Sequence, residues 1–382
     1  MLRMTMADMA DAADAIPGAY RLENADTCLI PAAHVLEATR AAVGLDECNS
    51  YLPLRGLRGM REAVAYRYRA DWGLNYDPDG EIVITCGAGE SMLNALLTLI
   101  DPGERVLLTN PTYSGMAQRV RLAGGRQIFT PLVRGPHGWR LDIDHLREAA
   151  QDCRVLFIAS PCMPVGTVFT RAETEAIAEA AERNDAWIVF NGHADKVAFE
   201  GRAITSPATL PGMRERTVLI GCVSKNYGMP GWRVGWALGP RAVMRAMEDA
   251  HIFNAIMPSG ICQRGAIAAL TGPQDWQVDM VATYERAQAI LLNEIAASPE
   301  LIAVPAEGGY YCLLDVERAG LDAVTFARGL LDEQHVAVTP MQGWGTDDFG
   351  EHLVRLIFTN EPPDRLREAG RRIAAYAERH HR

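Results

Sequence analysis

No apolar run in the 382 residues approaches the roughly 20 needed to cross a bilayer as a helix, so a helical membrane span is not expected. The opening "MLRMTMADMADAADAIPG" carries acids and lacks an apolar core ahead of a cleavage site, so it does not read as a secretory leader. The eight cysteines are scattered singly, with no Cys-x-x-Cys pair and no metal-like spacing to histidine. Reduced, mostly buried thiols in a cytoplasmic protein are expected, and no metal. Basic residues are outnumbered, 37 Lys and Arg against 48 Asp and Glu, giving a formal charge of −11. That balance weighs against nucleic acid or an anionic membrane as the main partner, but leaves small anionic ligands open, since a local basic pocket does not show in a net charge. Repeats and low-complexity segments are also missing. What remains is ordinary globular composition, 48% hydrophobic and 22% charged, in a chain long enough for two domains.

From about residue 80 to 240, short β-branched runs alternate with helical stretches. "EIVIT" (81–85), "RVLLT" (105–109), "VLFIAS" (155–160), "AWIVF" (186–190) and "TVLIG" (217–221) are bounded by Gly, Pro and Asp, with amphipathic segments such as "RAETEAIAEAAERND" between them. This alternation predicts an α/β fold, a mostly parallel sheet sandwiched by helices. Ligands of such sheets sit at the carboxyl ends of the strands. The segment 280–300 has helical spacing and predicts a long linking helix. The last hundred residues, with "GYYCLLDV", "VAVTP" and "HLVRLIF" as strands, suggest a smaller α+β domain that the first ~45 residues join. The expected division is 46–285 for the large domain and 1–45 with 286–382 for the small one.

The segment "VSKNYGMPGWRVGW" (223–236) follows an apolar strand. A lysine at a strand end, with an arginine eight residues on in a Gly-rich stretch, suits a carbonyl cofactor that bears a phosphate. A desolvated lysine amine can form a Schiff base, and a guanidinium grips phosphate through two donors. By itself the spacing also fits a surface lysine and an ion-paired arginine, which is the commoner case. "CGAGES" lies between a strand and a helix, so the N–H groups of Ala88, Gly89 and Glu90 can meet a phosphate, or simply close a tight turn.

Taken together these segments resemble the fold-type I pyridoxal-phosphate (PLP) enzymes, specifically the class I/II aminotransferases. Ser224, Lys225, Gly231, Arg233 and Gly235 match the family's SK-x5-G-x-R-x-G pattern, and similar segments recur at 49–68, 85–115, 308–315 and 352–358. The resemblance implies a PLP cofactor and an amino acid substrate with a 2-oxo acid. It implies that Lys225 forms the Schiff base and then acts as acid and base at Cα, and that Tyr113 stacks on the pyridine ring. Arg233, Ser224 and the Ala88–Glu90 backbone would hold the phosphate, and Arg355 would take the substrate α-carboxylate. It also implies a homodimer in which Tyr51 reaches the phosphate of the neighbouring subunit.

Against that frame several polar residues are missing. The family's N-P-x-N-P-T-G is "SPCMPVG" (160–166) here, so Ser160, Met163 and Val165 stand in place of Asn, Asn and Thr. "NGHA" (191–194) stands where D-E-x-Y is usual, putting Asn191 opposite the ring nitrogen, His193 beside it and Ala194 in place of tyrosine. Cys222 occupies a position often held by serine. A neutral amide contributes no negative charge to keep the ring nitrogen protonated, so the ring becomes a weaker electron sink and full transamination harder. Loss of donors to the phenolic oxygen favours a proton held on the imine. Three functions remain: an aminotransferase with compensation from His193, a PLP enzyme specialised for elimination, replacement, racemisation or condensation, and a noncatalytic PLP or amino-acid binding protein. The retention of Lys225, Arg233, Tyr51, Tyr113 and Arg355 disfavours the last. Trp344, Tyr20, Tyr310 and residues 251–262 are candidate pocket walls.

Overall fold

The computed structural model describes residues 5–135, 138–346 and 349–380. The first strand, β1 (Tyr20–Arg21), belongs with the carboxyl-terminal part of the chain; the next eight form one sheet. They are β2 (Ile82–Thr85), β3 (Arg105–Asn110), β4 (Arg126–Gly135), β5 (Gly138–Leu141), β6 (Cys153–Ala159), β7 (Trp187–Asn191), β8 (Thr217–Cys222) and β9 (Gly235–Leu238). Their spatial order is β2-β9-β8-β7-β6-β3-β4-β5. The inner pairings β8–β7, β7–β6, β6–β3 and β3–β4 are parallel, while β2 with β9, β9 with β8 and β4 with β5 are antiparallel. The sheet is therefore parallel in its middle and mixed at its edges.

Continuous apolar runs make sense for the central strands, because both faces are covered. On β3 and β6, Val106, Leu108, Val155 and Phe157 pack on one face with Met92, Leu96, Val120 and Met247. Leu107, Leu156 and Ile158 point the other way, into the core that includes Ile177 and Ala181 of the helix Arg171–Arg183. That helix starts at a capping box, Thr170 with Glu173, which ends the turn carrying "SPCMPVG" at a fixed point.

The remaining strands are β10 (Ile302–Val304), β11 (Tyr311–Asp315), β12 (Val336–Ala337), β13 (Thr339–Pro340) and β14 (Leu353–Ile357). A second sheet runs β10-β11-β14-β13, antiparallel throughout, and β1 pairs in parallel with β12. The long helix Asp275–Ile295 packs against the final helix Pro363–His380 and runs straight through residue 285. Among the described residues no helix is long and apolar enough to cross a membrane.

Candidate active site

The carboxyl ends of β7 and β8, adjacent and parallel, bring Asn191 and the turn after Cys222 side by side. That turn, Val223–Asn226, carries Ser224 and Lys225. They line a cavity of about 260 Å³ together with Ala88, Gly89, Tyr113, Met163, His193, Arg233 and Arg355. Ten of the eleven sequence-predicted residues other than Tyr51 thus share one cavity. A larger groove of about 670 Å³, walled by Arg134, Glu285 and Glu307 among others, contains none of them.

Lys225 is partly buried; its Nζ donates to the Ala25 carbonyl and lies 4.8 Å over the Tyr310 ring. Burial lowers its pKa to about 8, with the Arg355 and Arg233 charges pushing the same way and Asp26 opposing. A useful fraction of neutral amine is therefore present near neutral pH. Arg355, on β14, is 1% exposed. Its Nη2 donates to the Glu23 carbonyl at 2.7 Å, its guanidinium lies 4.8 Å over Trp344, and its Nε has no partner among the described residues. Burial pulls its pKa down. A desolvated cation with an idle donor favours an incoming carboxylate.

The end of the cavity at the helix start is built from glycines. Gly87 has φ +93° and opens the helix Ala88–Leu99, whose first N–H groups have no intrahelical acceptor. A Cβ on Gly87 would lie 2.6 Å from Arg233 Nη2, and one on Gly235 would lie 2.6 Å from Ala88 N. Only glycine at both positions lets the β9 backbone and the guanidinium close on the helix start. Arg233 Nη1 approaches Ser224 Oγ at 3.4 Å. Glu90 departs from expectation. Its N–H donates to the Gly87 carbonyl at 3.1 Å, and its carboxylate turns back to Cys86 N, Asn94 and His251 Nδ1, the last at 2.6 Å. Glu90 fastens the loop from behind, because its first-turn amide is consumed by the turn itself.

At the opposite end, Asn191 is buried, with Oδ1 unpaired and Nδ2 facing only Met116 Sδ at 3.9 Å. Both ring nitrogens of His193 are buried without partners among the described residues, and burial with the Lys225 charge lowers its pKa to about 4. His193 is therefore a neutral imidazole. Its ring meets Tyr310 edge-on at 6.0 Å. Of the substituted positions, Met163 reaches the cavity wall, whereas Ser160, Val165 and Ala194 are buried behind it. Cys222 also lines the cavity.

Tyr51 is 81% exposed and lies outside this cavity, beside a separate surface groove. Tyr20 is not a pocket wall: it lies on the two-stranded β1–β12 sheet, where Arg365 and Arg372 stack over it at 4.2 and 4.7 Å. Residues 251–262 are mostly the ends of two helices and do not line the cavity, while Trp344 backs Tyr113 and Arg355. Met6, Ala25, Met92 and Arg119 complete the wall and went unnoticed in the sequence. Met6 and Ala25 arrive by long-range closure, for which a lone sequence carries no signal. Arg119 had one, an arginine a turn and a half into the helix that follows Tyr113.

The arrangement fits PLP. Helix amides and Arg233 suit its phosphate, a lysine of lowered pKa suits its aldehyde, and idle buried atoms of Asn191 and His193 face the space between. Among the described residues no group of His, Cys, Asp or Glu is placed to hold a metal ion.

Fold and site together are those of an enzyme that handles amino groups through PLP. Residues 18–373 match the family model for aminotransferase class I and II, and the chain belongs to that family. It is 31% identical to arginine–pyruvate transaminase AruH of Pseudomonas aeruginosa, over 86% of this chain and 82% of that one. It is 29% identical to an aspartate aminotransferase of Geobacillus stearothermophilus, over 90% and 88%. The structure superposes on N-succinyldiaminopimelate aminotransferase of Mycobacterium tuberculosis with a TM-score of 0.92 and 29% identity, covering 97% and 96% of the two chains. The protein is a PLP-dependent aminotransferase of this family.

Proposed function

We propose that the protein moves the amino group of an amino acid with a compact, uncharged side chain to a 2-oxo acid, with Lys225 and Arg355 as its central residues. The observation that carries this reading is the meeting of these two side chains in one small cavity. Arg355 would hold the α-carboxylate, which turns Cα toward Lys225. Lys225 would hold the cofactor aldehyde covalently and, once released by the incoming amine, carry the proton at Cα. Bound here, PLP supplies the aldehyde that accepts the amino group and a ring that withdraws electrons from Cα.

The side-chain preference rests on what walls the space. Among the described residues no carboxylate lines the cavity, so a guanidinium or ammonium side chain finds no partner from this chain. Met6, Met92, Met163, Tyr113 and Tyr310 form apolar surface, and about 260 Å³ is below the usual range of roughly 300–1,000 Å³ for ligand pockets.

A homodimer is part of the proposal. Tyr51 is exposed, and its neighbour Leu52 bonds Met257 Sδ at 2.9 Å, joining 45–54 to the segment that exposes Phe253 and Ile256. Exposed apolar groups on two adjoining segments suit a subunit contact.

Asn191 favours a second reading, in which the intermediate chemistry stops short of transfer and leads to racemisation, elimination, replacement or condensation. Among the described residues no carboxylate lines the cavity to hold a proton on the ring nitrogen. The test is to incubate the holoenzyme with a panel of amino acids and follow 2-oxo acid and pyridoxamine phosphate together by mass spectrometry. Equal amounts of both, fastest with compact uncharged donors and faster still in Asn191→Asp, are expected. Inversion at Cα or loss of the side chain without stoichiometric pyridoxamine phosphate would establish the second reading; a preference for charged donors would refute the side-chain assignment.

A further inference from the structure

The cavity has a second guanidinium at its phosphate end that the family pattern does not account for. Arg119 lies on the helix Ser114–Leu122, which begins directly after Tyr113. Its Nε donates to the Gly89 carbonyl at 2.7 Å and its Nη1 to the Gly115 carbonyl at 2.7 Å. Those two bonds fix the plane of the fork. They leave Nη2 without a described partner, on the cavity wall, where a Cβ added to Gly89 would be 2.7 Å away. On the other side of the same loop, Arg233 Nη2 takes the equivalent place beside Gly87, at 2.6 Å from a Cβ there. Two guanidinium groups therefore straddle residues 87–89, and among the described residues no carboxylate pairs with either.

We infer that Arg119 is a phosphate ligand, closing on the dianionic phosphate ester from the side opposite Arg233. The physical case has three parts. Two unpaired cations facing one small space repel each other, and a dianion between them removes that cost. Both forks are held by carbonyl acceptors, so little rotamer entropy is lost on binding. A position that relatives often furnish with a serine hydroxyl carries Cys222 here, a weak donor, which leaves more of the phosphate's binding to charge-assisted bonds such as those Arg119 can donate. Glycine at 89 is needed for the same reason as at 87, since any side chain there would displace the guanidinium.

This inference rests on the reading of the 87–89 loop as the phosphate site, and the test separates the two. Apoprotein is titrated with PLP and, in parallel, with pyridoxal, which lacks the phosphate, using wild type, Arg119→Gln and Arg233→Gln. The expected result is that Arg119→Gln binds PLP at least tenfold more weakly and pyridoxal as wild type does, with Arg233→Gln behaving likewise. If Arg233→Gln alone loses PLP, the site stands and the role of Arg119 is overturned. If Arg119→Gln weakens both ligands equally, the residue acts only through the Gly89 and Gly115 carbonyls, which also overturns it. If neither variant discriminates PLP from pyridoxal, the phosphate site itself is misplaced. Should Arg119→Gln fail to fold, Arg119→Met carries the test, because it keeps most of the side-chain volume and removes the charge and every donor. Weaker PLP binding with unchanged pyridoxal binding then supports the inference, and unchanged binding of both overturns it.

Discussion

At the scale of the residue, the site is a set of buried polar groups left without partners. Lys225 shows the consequence most directly. Burial, with help from Arg355 and Arg233, takes its pKa to about 8 from 10.5. The neutral amine is the nucleophile, so covalent capture of PLP by the apoprotein should speed up as pH rises and reach half its maximum near pH 8; a rate still climbing past pH 10 would refute the shift. The stability contribution has a matching sign. Between about pH 8 and 10.5 the unfolded lysine keeps a proton that the folded one has released, so Lys225 adds stability as pH rises through that window.

Arg355 makes the opposite kind of statement, a charge kept buried at a cost. Replacing it with methionine should weaken amino-acid binding by about 2–5 kcal/mol, seen as a raised KM. The same change should leave the melting temperature of the apoprotein equal or higher, because a buried charge with no direct ion pair among the described residues is replaced by apolar volume. A lower melting temperature alongside the raised KM would show that Arg355 is chiefly a structural residue.

At the scale of the element, the central strands were legible because burial on both faces writes itself as short apolar runs, and the Gly-Ala-Gly and Ser-Lys segments mark where those strands end. β4, β5 and β9 were harder. β4 is half-exposed along "RQIFTPLVRG", and its outer neighbour β5 has four residues, too few to show a period. β9, "GWAL", sits inside what reads as a glycine-rich loop, and its antiparallel pairing depends on contacts far away in sequence. Glu90 was misjudged for a local reason: one residue further into a helix, an N–H is already claimed by the turn. The 87–89 loop, proposed to hold the phosphate, carries the prediction at this scale. Gly87→Ala places a side chain at φ +93° and against Arg233, so it should cost about 1–3 kcal/mol in stability and lower PLP affinity sharply. Thermal melting and PLP titration check it; wild-type affinity would mean the loop does not carry the phosphate.

At the scale of the whole molecule, the cavity is assembled from chain segments that no local pattern connects. Met6 and Ala25 come from the amino-terminal segment, Asn191 and Lys225 from β7 and the turn after β8 of the large sheet, Tyr310 and Arg355 from the residue before β11 and from β14 of the antiparallel sheet. Tyr51 faces solvent and belongs to this picture only if a second copy completes the site. Subunit mixing measures that. Lys225→Ala and Tyr51→Ala proteins, unfolded together and refolded, should regain about a quarter of the wild-type sites, because half the dimers are mixed and each holds one intact site. No recovery above the parents would place Tyr51 outside its neighbour's site.

The central claim is that the amine of Lys225 bonds the cofactor, and the chain is well suited to an unambiguous answer because it contains only two lysines, Lys196 and Lys225. Lys196 is tied to Asp71 at 2.5 Å and lies over Trp72, outside the cavity. The holoenzyme is reduced with borohydride, digested, and the modified peptide located by mass spectrometry. A phosphopyridoxyl group on Lys225 is the predicted result; a group on Lys196, or none on either lysine, would contradict the account.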